Sequence, residues 1–130
     1  MSEIDRLRDA LDDFDEIRLA IVFGSVGRGR ATGSSDLDIA ILGERPLSSD
    51  LKSAIISTLA RVTGRPIDLV DLSQAGEPLL GEVLKNGTRI IARDDSAHAE
   101  LLRKHLLDAA DFLPYRNRIL AERRRKWTGT

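Results

Sequence analysis

The chain has 130 residues, of which 42% are hydrophobic and 32% are charged, and its formal net charge is −1. Such a composition is typical of one folded domain with a real core and excludes a disordered chain. The near-neutral charge provides no global field that would steer the protein towards nucleic acid. The absence of cysteine excludes disulfides, thiolate metal ligands and a cysteine nucleophile.

We expect neither a membrane span nor an export signal. Residues 1–5 are charged and lack the apolar core of a signal peptide. No apolar run approaches the ~20 residues that cross a bilayer. We therefore expect no membrane association and a cytoplasmic location.

The first elements follow from hydrophobic periodicity. Four apolar residues recur at the helical period after a potential cap at Ser2, which predicts an N-terminal helix. The apolar run 18–23 predicts a buried strand that stops at Gly24. Residues 24–35, rich in glycine, serine and arginine, predict a turn and a short helix, and a second strand is predicted over 37–42.

The alternation of helices and strands continues. A helix is predicted over 51–62, capped by Ser48 or Ser49 and stopped by Gly64. A third strand is predicted over 67–72.

The last elements complete the pattern. A helix over 79–84 and a strand over 88–92 follow, and a helical pattern extends from about 94 to 126 with a break near Pro114. Strands that alternate with helices predict an α/β layered domain.

Three aspartates carry the chemical signal. Strand side chains alternate, so Asp36 and Asp38 project from one face of the second strand. If Asp68 joins them from a neighbouring strand, three negative charges converge. Each like-charged pair at ~4 Å and an effective dielectric of ~20 would cost roughly 4 kcal/mol. The cluster must therefore be partly protonated or hold a cation.

Oxygen ligands favour Mg²⁺ or Mn²⁺ at such a cluster. Two such ions stabilise the attacking and leaving oxygens of an in-line displacement at phosphorus. The alternative is that the aspartates cap turns and face solvent. Their alternation, together with the third acid in the next strand, favours the metal site.

The turn at Gly24 and Ser25 suggests a phosphate site. A strand that ends in a glycine turn exposes backbone N–H groups at the start of the next helix, and Ser25 adds a hydroxyl. We expect these groups to bind the phosphates of a nucleoside triphosphate. The glycines match neither the dinucleotide fingerprint nor a Walker A motif, so their meaning depends on their spacing to the aspartates.

A resemblance to a known family sharpens this interpretation. The matching segments are FGSVGRG at 23–29 and SDLDIA at 35–40, which contain Gly-Ser, ten residues and Asp-x-Asp. They resemble the signature of the DNA polymerase β-like nucleotidyltransferase superfamily, in particular its minimal nucleotidyltransferase branch. The resemblance implies an α/β (α+β) fold with a mixed central sheet of about four strands, flanking helices and a C-terminal helical segment.

The same resemblance implies a role for each matching residue. Gly24 and Ser25 would bind the triphosphate, and Asp36 and Asp38 would coordinate both metal ions. Asp68 would coordinate the catalytic ion and favour deprotonation of the acceptor hydroxyl. The implied reaction is transfer of a nucleoside monophosphate, with ATP as the expected substrate and Mg²⁺ or Mn²⁺ as the cofactor.

Three further residues of the motif concern the loop after the Gly-Ser pair. Arg28 matches a basic position that follows the Gly-Ser pair, where either phosphate contact or surface exposure is expected. Val26 and Gly27 replace the tyrosine and alanine of many members, which affects the detail of the loop rather than its chemistry.

The acceptor site is expected outside this chain. We predict a single domain over 1–130 with a core at about 17–92, so only about thirty-five residues follow it, in a helical segment at about 94–126. Members of this size resemble MntA-type antitoxins, which attach AMP to a tyrosine of a HEPN-domain toxin. A transferase acting on a small hydroxylated molecule such as an antibiotic, and a catalytically silent binding module, are the alternatives.

The C-terminal segment has two interpretations. Its apolar stripe consists of Leu101, Leu102, Leu106, Ala109, Phe112 and Leu113, and its basic tail contains Tyr115, Ile119 and Trp127. The stripe is expected to pack on the chain's own sheet. For the tail, contact with a partner or with nucleic acid is slightly favoured over a solvated end, and of these two contacts a protein partner is the one expected.

Three other polar residues are expected to be structural. His98 and His105 lie seven residues apart, whereas a helical metal pair would lie three or four apart. Asp71 lies three residues after Asp68 on the strand, should point the opposite way, and is expected to act in a turn or cap.

Overall fold

The computed structural model describes residues 2–27 and 29–108. The elements are α1 (Glu3–Asp12), β1 (Ile17–Phe23), α2 (Gly24–Gly27), β2 (Leu37–Gly43), α3 (Ser49–Thr63), β3 (Ile67–Asp71), α4 (Leu79–Asn86) and β4 (Thr88–Ala92). A last helix, α5, covers the described residues 95–108. Each predicted helix and strand in this part of the chain is present.

The four strands form one mixed sheet in the order β3-β2-β1-β4. Strand β1 pairs antiparallel with β2 and with β4, whereas β2 and β3 are parallel. The parallel pair follows from the crossover through α3, since parallel strands need a long connection. The predicted mixed four-stranded sheet with flanking helices is confirmed.

Helices cover both faces of the sheet. On one face, α1 and α3 bury Leu7, Leu11, Ile55 and Leu59 against alternate residues of β1 and β2. On the other face, α4 and α5 pack on the intervening residues, in a cluster of Leu19, Ile21, Ala40, Leu72, Ala75, Leu80, Val83 and Leu101. The core is aliphatic, and no helix among the described residues is long and apolar enough to cross a membrane.

Local capping matches the sequence. Ser2 forms a capping box with Asp5 at the start of α1, and the Ser48 side chain accepts a hydrogen bond from the Leu51 N–H at the start of α3. Gly64 ends α3 with a φ of 68°, in the left-handed region that favours glycine.

The apolar stripe of α5 packs only in part. Leu101 is buried against the sheet, as expected, but Leu102 and Leu106 are 41% and 60% exposed. Leu101 lies on the narrow face of α5 that packs against the sheet, whereas Leu102 and Leu106 lie outside that face. The rest of the stripe, the predicted break at Pro114 and the basic tail lie outside the described residues.

Candidate active site

One edge of the sheet gathers the motif residues. Strand β1 ends there at Phe23, and β2, β3 and β4 all begin there. Phe23 lies opposite Asp38, and Asp38 lies opposite Asp68 in the parallel pair. Strand pairing therefore places Gly24 and the acids of β2 and β3 side by side.

The alternation within β2 is the one expected from the sequence. Leu37 and Ile39 are buried in the cluster under α1 and α3, while Ala40 belongs to the cluster on the opposite face. Asp38 shares the face of Ala40 and is half-buried. Asp36, directly before β2, and Asp68, on β3, are exposed.

The pKa of Asp38 is affected by both other acids. Burial raises the pKa of Asp38, and the negative charges of Asp68 and Asp36 raise it further, as does a hydrogen bond shared with Asp68. The structure thus places Asp38 opposite Asp68 and within electrostatic reach of Asp36. Asp38 is the most shielded of the three, and its ionised form is disfavoured.

These acids fit a hard cation through their charge and their oxygen ligands. In the part of the chain that the structure describes, no group of three His, Asp or Glu side chains is placed to hold a metal ion. Magnesium does not need such a set, since it commonly binds one or two protein carboxylates and takes its other oxygens from phosphates and water. The assignment of Asp36, Asp38 and Asp68 as metal ligands stays a prediction.

Gly24 makes the close approach of the turn to the acids possible. Its φ is 66°, and a Cβ atom added there would overlap the Oδ2 atom of Asp38. Only glycine combines this backbone conformation with the absence of a side chain. Ser25 follows in the four-residue helix α2 and is half-buried. Triphosphate binding by the two residues remains a prediction.

Gly27 is also required by packing. A Cβ atom there would lie 2.5 Å from the carbonyl oxygen of Val22, and the Thr88 hydroxyl donates to the Gly27 carbonyl oxygen at 3.0 Å. The turn is thereby held against β1 and β4. Arg28, predicted to contact phosphate, lies outside the described residues.

Arg65 lies near the site and has no counterpart in the sequence-based prediction. Its Nη1 atom donates to the carbonyl oxygens of Thr32 and Ser35, and its Nε and Nη2 atoms bind the Glu3 carboxylate. The only sequence signal is a basic residue before the short β3 strand, which is too common to single out.

Of the three residues expected to be structural, Asp71 and His105 have polar partners within the fold. Asp71 accepts hydrogen bonds from the Leu47 N–H and from Ser73, at the opposite end of the sheet. His105 Nδ1 contacts the Glu77 carboxylate at 2.5 Å. Burial and the nearby charge of Arg89 lower the pKa of His98, which favours its neutral form.

The fold, together with the acids where β2 and β3 begin, defines a class of protein. The model of the family described as polymerase beta, nucleotidyltransferase, matches residues 5–96, and the chain belongs to this family. It is similar to the protein adenylyltransferase MntA of Shewanella oneidensis, with 30% identity over 79 residues. That match covers 61% of this chain and 57% of the relative, so it spans less than two thirds of the relative's length.

Chains of solved toxin–antitoxin complexes are similar in fold. One chain of a toxin–antitoxin complex with AMP-PNP superposes with a TM-score of 0.77 at 24% identity, covering 94% of this chain and 98% of the other. A chain from the rebuilt complex of a tri-AMPylated Shewanella oneidensis HEPN toxin with MNT antitoxin gives 0.72 at 21% identity, with 92% and 94% covered.

Proposed function

We propose that this protein is a metal-dependent adenylyltransferase that transfers AMP from ATP to a tyrosine hydroxyl of a cognate HEPN-family toxin, and so acts as an antitoxin. Family membership supports nucleotidyl transfer. The similarity to MntA supports a protein acceptor, and the toxin–antitoxin complexes with a related fold support the HEPN partner. A cytoplasmic location is part of the proposal.

The single observation that carries the proposal is the interaction of Asp38 with Asp68 and Asp36 beside Gly24. A fold needs no such cluster for stability, because like charges at one sheet edge oppose folding. Perturbed carboxylates of this kind concentrate at functional sites. Their position next to a glycine turn suits a triphosphate whose negative charge requires cations.

In the proposed reaction, the acceptor oxygen forms a bond to the α-phosphorus of ATP. The bond from that phosphorus to the bridging oxygen of the β-phosphate breaks, and pyrophosphate leaves. Asp68 favours loss of the acceptor's proton. Asp36 and Asp38 would hold two ions and Asp68 one of them, and bound Mg²⁺ or Mn²⁺ would supply charge stabilisation at the attacking and leaving oxygens.

Binding of the triphosphate is assigned to the turn. The backbone N–H groups at Gly24 and Ser25 and the Ser25 hydroxyl would orient its phosphates. Arg28 is the nearest basic residue in sequence and would add charge to this contact. Orientation of the α-phosphate for in-line attack is a large part of catalysis in phosphoryl transfer.

The test is label transfer. The purified protein is incubated with ATP labelled at the α-phosphate and with lysate of its own host, and the products are separated by mass. We expect label on a protein with the mass of a small helical toxin, labile to phosphodiesterase. A chelator present during the incubation should prevent labelling, and an excess of Mg²⁺ or Mn²⁺ should restore it.

The matched control is the Asp36→Asn, Asp38→Asn double variant, which keeps the shape of both side chains. We expect it to stay folded and to transfer no label. Substantial transfer by this variant would refute the metal assignment. Label on small molecules alone would favour the antibiotic-type transferase, and no label under any condition would favour the silent module.

A further inference from the structure

The backbone on each side of Asp36 is hydrogen-bonded to a residue just before β3. On one side, the Ser35 carbonyl oxygen accepts a hydrogen bond from Arg65 Nη1 at 2.9 Å. On the other side, the Leu37 N–H donates to the Pro66 carbonyl oxygen at 2.8 Å. Residues 65 and 66 thus fix the backbone on both sides of Asp36.

The loop before Asp36 is closed by its own hydrogen bonds. The Thr32 N–H donates to Ser35 Oγ at 2.9 Å, and the Ser35 N–H donates to the Thr32 carbonyl oxygen at 3.2 Å. Arg65 binds both ends of this turn through one nitrogen, since Nη1 also reaches the Thr32 carbonyl oxygen at 2.5 Å. Hydrogen bonds therefore join Arg65 to both ends of the turn.

Arg65 is itself fixed from a third element. Its Nε and Nη2 atoms bind the two carboxylate oxygens of Glu3 at 2.9 and 3.2 Å, and its side chain is only 10% exposed. This bidentate pair joins the guanidinium to the start of α1. A planar fork with five donors can satisfy the carboxylate and both carbonyls at once, which a lysine cannot.

We propose that Arg65 is a positioning residue that sets the separation of Asp36 from Asp68 across the two parallel strands. Arg65 lies three residues before Asp68. One short segment therefore carries Asp68 and the arginine that holds the backbone next to Asp36. Because its charge is paired with Glu3, Arg65 acts by holding the backbone in place and not by its charge. This inference rests on the proposed metal-dependent transfer.

The opposite end of the sheet offers a matched control. Arg93 makes the same kind of clamp, with Nη1 donating to the carbonyl oxygens of Phe14 and Ile17 and Nη2 bound to Asp12. It holds the connection between α1 and β1, away from the acids. Loss of either arginine should destabilise the fold, but only loss of Arg65 should disturb the site.

The experiment compares Arg65→Met, Arg65→Lys and Arg93→Met at a temperature where thermal unfolding shows each to be folded. Two quantities are measured: Mn²⁺ affinity by electron paramagnetic resonance in the presence of a non-hydrolysable ATP analogue, and kcat for AMP transfer. We expect both Arg65 variants to lose about 10–100-fold in Mn²⁺ affinity or in kcat, as for other groups that orient metal ligands. Arg93→Met should keep both values.

The outcomes separate this inference from the proposed function. Wild-type values in Arg65→Lys would show that charge suffices and would overturn the positioning role, as would equal losses in Arg93→Met. If the wild type binds Mn²⁺ but transfers no label, the proposed function fails, and the affinities alone decide the role of Arg65. A wild type that binds no Mn²⁺ with nucleotide would overturn both.

Discussion

Asp38 and Asp71 are two shielded aspartates on neighbouring strands, at opposite ends of the same sheet, and their pKa values move in opposite directions. Burial and two neighbouring carboxylates raise the pKa of Asp38. Burial alone would also raise that of Asp71, but hydrogen bonds from Leu47 and Ser73 outweigh it and lower the pKa. Burial alone therefore does not determine the ionisation of either group.

The difference lies in what faces each carboxylate. Asp71 receives two backbone N–H groups and a hydroxyl, and no buried side-chain oxygen or nitrogen among the described residues lacks a partner. Asp38 faces acids and a glycine without a side chain. One end of the sheet is electrostatically complete, whereas the other requires a cation or a proton, and a site for ligands is expected at the incomplete end.

Replacing each aspartate in turn should give the largest difference between the two ends of the sheet. We expect Asp38→Asn to lower kcat for AMP transfer by at least roughly 10³-fold, because charge stabilisation at the reacting phosphate depends on this carboxylate. The same change should raise the free energy of unfolding at pH 7 by roughly 0.5–1 kcal/mol, since it removes like-charge repulsion. Transfer kinetics and urea unfolding measure the two effects.

Asp71→Ala is the control, with the reverse pattern. It leaves the buried Leu47 N–H without its acceptor, so the free energy of unfolding should fall by about 1–3 kcal/mol. The kcat of the folded fraction should be unchanged. A loss of kcat in Asp71→Ala as large as that in Asp38→Asn would show that the two ends are not functionally distinct.

Gly24→Ala should have the next largest effect. The variant places a side chain at a φ of 66° and against the Asp38 carboxylate. We expect a loss of about 1–2 kcal/mol in stability from the backbone conformation and roughly a 10²-fold loss in kcat from displacement of Asp38. Gly64→Ala separates the two causes, because Gly64 has a φ of 68° but open space around it. Gly64→Ala should lose stability alone, and equal kcat values in the two variants would contradict a role for the contact.

The parts of the fold that the sequence predicted are those encoded by short-range patterns. Alternation placed Asp36 and Asp38 on one face, and the break after Phe23 located the turn at Gly24. Arg65 could not be found in this way, because its acceptors are backbone carbonyl oxygens about thirty residues away. Helical periodicity also could not show that Leu102 and Leu106 are exposed, since the width of the buried face depends on tertiary packing.

The smallest effect, and the one that compares the two ends most directly, is the dependence of stability on pH. A raised folded-state pKa means that ionised Asp38 opposes folding above its unfolded-state value of about 4. The stability advantage of Asp38→Asn should therefore be present at pH 7 and vanish as the pH falls through the raised pKa towards 4.

Asp71 has the opposite sign. Its lowered pKa contributes stability above about pH 4 that is lost as the pH falls through the folded-state value. Asp71→Asn should therefore be less stable than wild type at pH 7, and this deficit should shrink below pH 4. Urea unfolding of both variants and wild type between pH 3 and 8 measures the two differences, each expected to be about 1 kcal/mol or less. If the stability differences of the two variants changed in the same direction with pH, the opposite pKa directions of Asp38 and Asp71 would be wrong.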